Sequence, residues 1–151
     1  DIRRSQFSHP RLKAITIQQP LADATLLGLR KIEGRNYNVK VPTSEGLWLA
    51  LHIGRSQDHF TNYQVMNRVR QLWPECPLVP FGRKRMGCIV GLIHIRACVP
   101  SHMCTSTWRD IPLPSSYYFE IDQVLPLPIA IHHRHSFRMW TVEESACKQI
   151  Q

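Results

Sequence analysis

The stretch Gly28-Leu29-Arg30-Lys31-Ile32-Glu33-Gly34-Arg35 marks the point where a short helix should end and a strand should begin. In an extended chain, side chains alternate between two faces, so Lys31, Glu33 and Arg35 are expected to share one face. Ile32 would then enter the core. A guanidinium held by the Glu33 carboxylate presents a fixed fork to a phosphate or a base edge. The alternative is a solvated strand whose charges neutralise one another.

The residues before this stretch predict a strand and a short helix. The β-branched run at 14–17 is typical of a strand. Pro20 suits the first turn of the helix, and Gly28 suits the left-handed residue just after its end. The backbone N–H groups at the start of this helix, beside Gln18 and Gln19, could bind an anion or simply water.

The residues after it predict a central strand and a second helix. The run at 47–53 is too apolar to face water on both sides and should cross the core. Apolar residues then recur every three or four positions between 60 and 73, which indicates an amphipathic helix with its stripe in the core. Asp58 or Thr61 could cap this helix, and Pro74 ends it.

The second half of the chain reads as strands. The longest strand signal covers 88–99, where Gly91 suggests a bulge or bend. Three shorter strands are predicted, the middle one an edge strand because it contains Pro126 and Pro128; they cover 117–121, 124–131 and 137–142. Short strands without a βαβ rhythm predict a mainly β, α+β fold, a small barrel with about two helices packed on it.

The net charge of the chain indicates which class of partner it binds. The chain has 151 residues, one domain's worth, with 19 Lys and Arg against 11 Asp and Glu, a net charge of +8. Between residues 59 and 109 the only acid is Glu75, so the positive charge is concentrated there. Such charge suits a polyanion such as nucleic acid or an anionic membrane surface. We expect nucleic acid and no membrane partner.

The sequence disfavours three other classes of protein: membrane-spanning, secreted and metal-binding proteins. No apolar run approaches the roughly 20 residues of a membrane span, and the polar N-terminus does not resemble a signal peptide. Five cysteines without close pairing fit a reducing, intracellular location, in the nucleus, the cytoplasm or both. We expect no metal and no cofactor, because two candidate groups lack the spacing or the acidic neighbours of a metal site; these are Cys98, His102 and Cys104, and His132, His133 and His135.

Three motifs in the first third of the chain carry a family resemblance. They are Ile-Thr-Ile-Gln-Gln-Pro at 15–20, the pattern Gly-x-Arg-x-x-Glu-x-Arg at 28–35, and Gly-Leu-Trp-Leu-Ala at 46–50. Together they resemble the ASCH domain, the activating-signal-cointegrator homology domain of the PUA-like superfamily. Looser matches follow in order at 87–91, 117–121, 126–128 and 139–140. The segment Glu33-Gly34-Arg35-Asn36-Tyr37 is most similar to the domain at the C-terminal end of the transcriptional cointegrator.

The resemblance implies a PUA-like β barrel at 12–142, with an N-terminal arm at 1–11 and a C-terminal tail at 143–151. It also implies a basic cleft beside the first helix that takes RNA or another single strand. The residues carried over to this cleft are Gln18, Gln19, Arg30, Glu33 and Arg35.

Their chemistry suggests separate roles. The arginines would contact phosphate or a base edge, Glu33 would orient an arginine or accept from an exocyclic amine, and the glutamines would read amide-like edges. Tyr37 could stack on a base, and so could Trp48, although we expect Trp48 to belong to the core. A basic tip would extend the phosphate track; it consists of Arg83, Lys84 and Arg85.

Some ASCH relatives are hydrolases of acetylated cytidine or of RNA, and they depend on a lysine. This chain has Arg30 at one such place and Arg55 at the other, with Glu33 where the amidohydrolase type has a threonine. An arginine stays protonated and cannot act as a base. We therefore expect a monomeric nucleic-acid-binding module of a larger transcription or RNA-processing regulator. The alternatives are a hydrolase using the same cleft and a protein-interaction domain for coactivator or helicase complex subunits.

Overall fold

The apolar runs form six strands, connected by helices and 3-10 turns, in the computed structural model, which describes residues 11–77 and 81–150. The strands are β1 (Lys13–Ile17), β2 (Ile32–Arg35), β3 (Leu47–Ile53), β4 (Cys88–Pro100), β5 (Tyr117–His132) and β6 (Trp140–Thr141). The helices of the described part are α1 (Leu21–Leu26), α2 (Tyr63–Leu72) and α3 (Glu144–Ile150). The 3-10 turns are Asp58–Thr61, Ser101–Met103 and Thr107–Asp110.

The strands form one mixed sheet in the order β2-β5-β4-β3-β1-β6. β1 and β3 are parallel, and the other neighbouring pairs are antiparallel. The sheet curls into a half-barrel, which confirms the predicted α+β, mainly β barrel. Among the described residues, no helix is long and apolar enough to serve as a membrane span.

The concave face of the sheet carries the main core. The predicted central strand β3 contributes Leu49, Leu51 and Ile53, each fully buried, and α2 covers this core with Val65 and Val69. A smaller cluster on the other face packs under α3; it includes Ala14, Ala50, Trp140, Val142 and Ala146. Alternate residues of β1 and β3 therefore serve two cores, as the period of a strand requires.

Glycine at 91 brings α1 close to the sheet. The pairing register between β4 and β5 shifts between Ile89 and Gly91, which confirms the predicted bulge. A Cβ at Gly91 would approach the Leu26 side chain of α1 and the Leu125 carbonyl within about 3 Å. The missing side chain therefore makes room for the end of the first helix.

Several predicted strand boundaries are wrong. The strands predicted at 117–121 and 124–131 are one strand, β5, and the strand predicted at 137–142 is only β6. Pro126 and Pro128 still lie on an edge, because β2 pairs with β5 only at Tyr117–Glu120. The part predicted as a C-terminal tail contains α3. The predicted arm lies outside the described residues except for Arg11.

The second helix also begins differently from the prediction. Asn62 caps α2, because its side-chain oxygen accepts a hydrogen bond from Val65 N at 3.2 Å. Asp58 and Thr61 belong to a 3-10 turn instead. The stripe is only partly core, since Tyr63 is 82% exposed.

A partly exposed aromatic pair lies on β3 and β4. The rings of Trp48 and His94 are 4.8 Å apart. Trp48 is 36% exposed, so the expectation that it belongs to the core is wrong. His94 donates through Nδ1 to Asp122 and through Nε2 to the Glu45 carbonyl, at 2.6 and 2.8 Å. The Asp122 hydrogen bond, aided by the Glu45 carbonyl, raises the pKa of His94.

Candidate functional site

The turn after α1 places Arg30 in the molecule. Gly28 adopts a left-handed backbone with φ +79°, as predicted for the residue after a helix end. The N–H groups of Leu29 and Arg30 both donate to the Ala24 carbonyl, at 3.0 and 3.1 Å, and hold the chain against the end of the helix. Arg30 is consequently buried, and its Nη1 donates to the Thr25 hydroxyl at 3.0 Å.

Glu33 holds two arginines at once. Its Oε1 lies 2.6 Å from Arg30 Nη2, and its Oε2 lies 2.8 Å from Arg35 Nη2. Arg35 Nε also donates to Oε2 at 3.0 Å. We call Arg30, Glu33 and Arg35 the arginine clamp. Lys31, which was expected to share the face of Glu33, is instead exposed and lines a different groove. Arg30 lies beside Glu33 in its stead, because strand alternation begins only at Ile32.

The clamp keeps its carboxylate ionised. Burial alone would raise the pKa of Glu33, but the charges and hydrogen bonds of Arg30 and Arg35 outweigh it and lower the pKa below its usual value. One negative charge is thus surrounded by two permanent positive charges. The clamp carries a net charge of +1 at neutral pH.

Arg35 also joins the two edges of the curled sheet. Its Nη2 donates to the Thr16 carbonyl of β1 at 2.8 Å, although β2 and β1 lie near opposite ends of the strand order. The Thr16 hydroxyl is held from the other face, where it accepts from Trp140 Nε1 at 3.2 Å and contacts His52 Nδ1 at 3.1 Å. We call this junction between β2 and the β1–β6 edge the seam.

The clamp lines a cleft of about 300 Å³ at the seam. This volume is at the lower end of the roughly 300–1,000 Å³ typical of ligand pockets. Two of its buried acceptor atoms make no hydrogen bond with the described residues, namely Gln18 Oε1 and Glu33 Oε1. Glu33 Oε1 is already ion-paired with Arg30 Nη2 at 2.6 Å and keeps a second lone pair that can accept, whereas Gln18 Oε1 has no partner among the described residues.

One wall of the cleft was missed by sequence reasoning. The segment after Pro100, read only as a loop, supplies buried Trp108 and Ile111 and the hydroxyl of Ser115. His59 also lines the cleft, and burial together with the charge of Arg30 lowers its pKa. Only the proximity of these residues in the folded chain reveals them, because their spacing in the sequence matches no motif.

The structure brings together Gln18, Arg30, Glu33 and Arg35 of the predicted site. Gln19 lies outside the cleft: its Oε1 accepts from Asp23 N at 2.9 Å, and it lines a second groove. At the start of α1, Asp23 N is thus bound to Gln19 and Ala22 N donates to the Gln18 carbonyl, so neither of these two N–H groups is free to bind an anion.

The remaining predicted residues do not line the cleft. Tyr37 packs edge-on against Phe119, with ring centroids 5.9 Å apart. Of the basic tip, Arg83 and Lys84 are exposed, whereas Arg85 is half-buried and pairs with Asp23 of α1 at 2.5 Å. Lys84 and Arg85 line the second groove together with Gln19.

The turn histidines make hydrogen bonds. His132 Nε2 accepts from Arg55 Nη2 at 2.9 Å. His133 accepts from Glu143 N at 3.1 Å through Nε2, and its Nδ1 contacts the Arg134 carbonyl at 2.5 Å. Within residues 11–77 and 81–150, no group of three His, Cys, Asp or Glu side chains is arranged to hold a metal ion.

Comparison with solved structures identifies the fold. The crystal structure of ASCH from Zymomonas mobilis aligns with a TM-score of 0.54 at 10% sequence identity, covering 92% of each chain. A serine-to-alanine mutant of that protein aligns with a TM-score of 0.53 at 10% identity, over 92% of this chain and 93% of the other. A tyrosine-to-phenylalanine mutant gives 0.51 at 10% identity, over 93% and 96%. No protein-family model and no curated protein matches the chain.

Proposed function

We propose that this chain, which has the fold of an ASCH domain, is a nucleic-acid-binding module that takes RNA or another single strand in the cleft beside α1. One observation carries the proposal: the cleft combines the positively charged arginine clamp with a buried acceptor, Gln18 Oε1, that has no hydrogen-bond partner among the described residues. The similarity to the cointegrator domain remains a prediction.

The free polar groups suggest that a base enters the cleft. Arg35 Nη1 makes no hydrogen bond to the described residues and offers two N–H groups, whereas Gln18 Oε1 and Glu33 Oε1 offer acceptors. A phosphate has only acceptor oxygens and would leave the buried Gln18 Oε1 unpaired, which is costly. A base edge with a carbonyl and an exocyclic amine would satisfy both kinds of group.

A single strand fits this cleft better than a duplex. A base reaches such a site only when it is unstacked from its neighbours, and bases in loops and single strands meet that condition at low cost. The net charge of +8 would add non-specific attraction to the phosphate backbone. Arg83 and Lys84, exposed near the second groove, would extend the phosphate contacts as the sequence predicted.

The cleft chemistry disfavours the hydrolase alternative. Its lining, as far as the structure describes it, contains two arginines and no lysine. Glu33 is a weak base because its pKa is lowered. Arg55 is exposed, bound to His132, and absent from the lining. Incubation with RNA and with acetylated cytidine should therefore give no turnover, and turnover that is lost in Glu33→Ala would favour the hydrolase.

Binding to a fluorescent single-stranded RNA of mixed sequence, measured over a salt series, tests the proposal. Arg35→Ala should weaken binding about tenfold or more, because it removes a charged hydrogen-bond donor. Lys148→Ala removes the same charge from α3, which packs on the other face of the sheet, and should change affinity less than about twofold. Arg35→Lys keeps the positive charge but removes the planar guanidinium, so its affinity shows whether charge alone or hydrogen-bond geometry is required. Absence of salt-dependent binding to any single-stranded or duplex probe would refute the proposal.

We further place the domain in a transcription or RNA-processing regulator with coactivator or helicase subunits as partners. The net charge of +8 would attract acidic protein surfaces as well as nucleic acid. Co-purification that survives high salt and nuclease treatment would identify a direct protein partner. Loss of every partner after nuclease treatment would instead show that nucleic acid bridges them.

A further inference from the structure

Phe137 and Arg138 form an exposed pair just before β6. Phe137 is 93% exposed, more than any other aromatic side chain that the structure describes. Neither core includes this ring, so it is free to contact a ligand. No motif in the sequence drew attention to it.

Arg138 is held in an unusual position. Its backbone has φ +57°, the left-handed region that a residue other than glycine seldom adopts, and it is the only such residue among those described. Its guanidinium lies over the ring of Tyr37, with Cζ 4.8 Å from the ring centroid. Strained backbone of this kind is concentrated at functional positions, so Arg138 is a candidate for a functional role.

This contact places Arg138 beside the cleft. Tyr37 directly follows Asn36, which lines the cleft, and is close enough to Arg35 and Glu33 for their charges to influence its pKa. Burial is the main cause that raises that pKa. Arg138 belongs to the β6 side of the seam and Tyr37 to the β2 side, so their contact spans the seam at the rim of the cleft.

We propose that Phe137 and Arg138 form a second nucleotide subsite, which rests on the function proposed above. The nucleotide next to the one in the cleft would stack on the exposed ring of Phe137, and Arg138 would contact the phosphate between them. Exposed aromatic rings with adjacent arginines are the usual means of binding single strands without sequence preference. The pair thus converts a one-base cleft into a site for at least two linked nucleotides.

Binding of a mixed-sequence RNA hexanucleotide to Phe137→Ala tests the subsite. The affinity should fall about 5- to 150-fold, the range for loss of one stacked base. The slope of log affinity against log salt should stay unchanged, because a ring carries no charge. Arg138→Gly relieves the left-handed backbone and removes the charge, so it should lower that slope by about 0.7.

Tyr63→Ala is the matched control. Tyr63 is 82% exposed and lines a separate groove on α2, so its removal deletes a comparable ring at no expected cost in affinity. Phe137→Trp should keep the affinity of the unmodified chain, because a tryptophan ring can also stack on a base. If Phe137→Ala binds as tightly as the unmodified chain while Arg35→Ala binds weakly, the subsite is wrong and the cleft stands. An equal loss in Tyr63→Ala also overturns the subsite, and no binding by the unmodified chain overturns both proposals.

Discussion

Replacing Glu33 with glutamine removes the charge at the centre of the arginine clamp and keeps the shape of the side chain. Arg30 and Arg35 would then share a neutral amide, whose oxygen can accept from them but whose NH2 group finds no acceptor on either guanidinium. The exposed fraction of the side chain is 8% for Arg30 and 18% for Arg35, so water replaces the lost carboxylate only poorly. Both guanidiniums are expected to shift from their observed positions.

The cost in stability follows from that burial. Breaking a buried ion pair by removing one partner costs about 3–5 kcal/mol, and the partial exposure of Arg35 reduces this to about 2–4 kcal/mol for Glu33→Gln. For a domain of this length, such a change lowers Tm by about 5–15 °C. Thermal and urea unfolding at pH 7 measure both quantities.

The pH dependence identifies the cause. Because the folded-state pKa of Glu33 is lowered, ionised Glu33 contributes its full stability above the unfolded pKa of about 4.3. This contribution is lost as pH falls through the folded pKa. The free energies of unfolding of the original chain and Glu33→Gln should therefore converge as the pH falls below about 4. A difference that stays constant with pH would show that packing, not charge, is responsible.

RNA affinity separates positioning from net charge. Glu33→Gln raises the net charge by one, so net charge alone would give tighter binding. We instead expect binding about tenfold weaker, because the arginines lose their orientation. Glu120→Gln is the control, since it makes the same charge change in a pair with Arg96, whose side chain is 65% exposed. Tighter binding by both variants would refute the positioning role of Glu33.

Two further substitutions test the pair on β3 and β4. Asp122→Asn should lower the free energy of unfolding by about 0.5–1 kcal/mol at pH 6, because it removes the hydrogen bond that raises the pKa of His94. This loss should shrink as the pH rises through that pKa. A loss of stability that grows at alkaline pH would contradict the prediction. Gly46→Ala should cost about 2–4 kcal/mol in urea unfolding, because φ is +67° and a Cβ would overlap the His94 ring; a neutral result would show that the loop moves freely.

Local patterns of the sequence predicted the elements that depend on local physics. The helix end at Gly28, the buried strand β3 and the bulge at Gly91 each follow from a glycine or a run of apolar residues. The placement of Ile32 in the core follows from strand alternation, and it is 4% exposed. Such features need no knowledge of the rest of the fold.

Features that depend on distant contacts were missed. The predicted break in β5 is absent because β4 pairs with it over its length despite the two prolines. Arg30 joins Glu33 because the turn wraps around α1, which strand alternation cannot foresee. Trp108 and His59 enter the cleft from segments far apart in sequence, and Arg138 reaches Tyr37 from the opposite end of the chain.

Two arginines share one carboxylate, so the three positions of the clamp should tolerate substitution to different degrees during evolution. Loss of Arg30 or Arg35 leaves the other arginine paired with Glu33, whereas loss of Glu33 leaves two cations without a counterion. Descendants of this sequence should therefore vary at either arginine before they vary at Glu33. A lineage that replaces Glu33 should already have lost one of the arginines, so the order of substitutions records the coupling within the clamp.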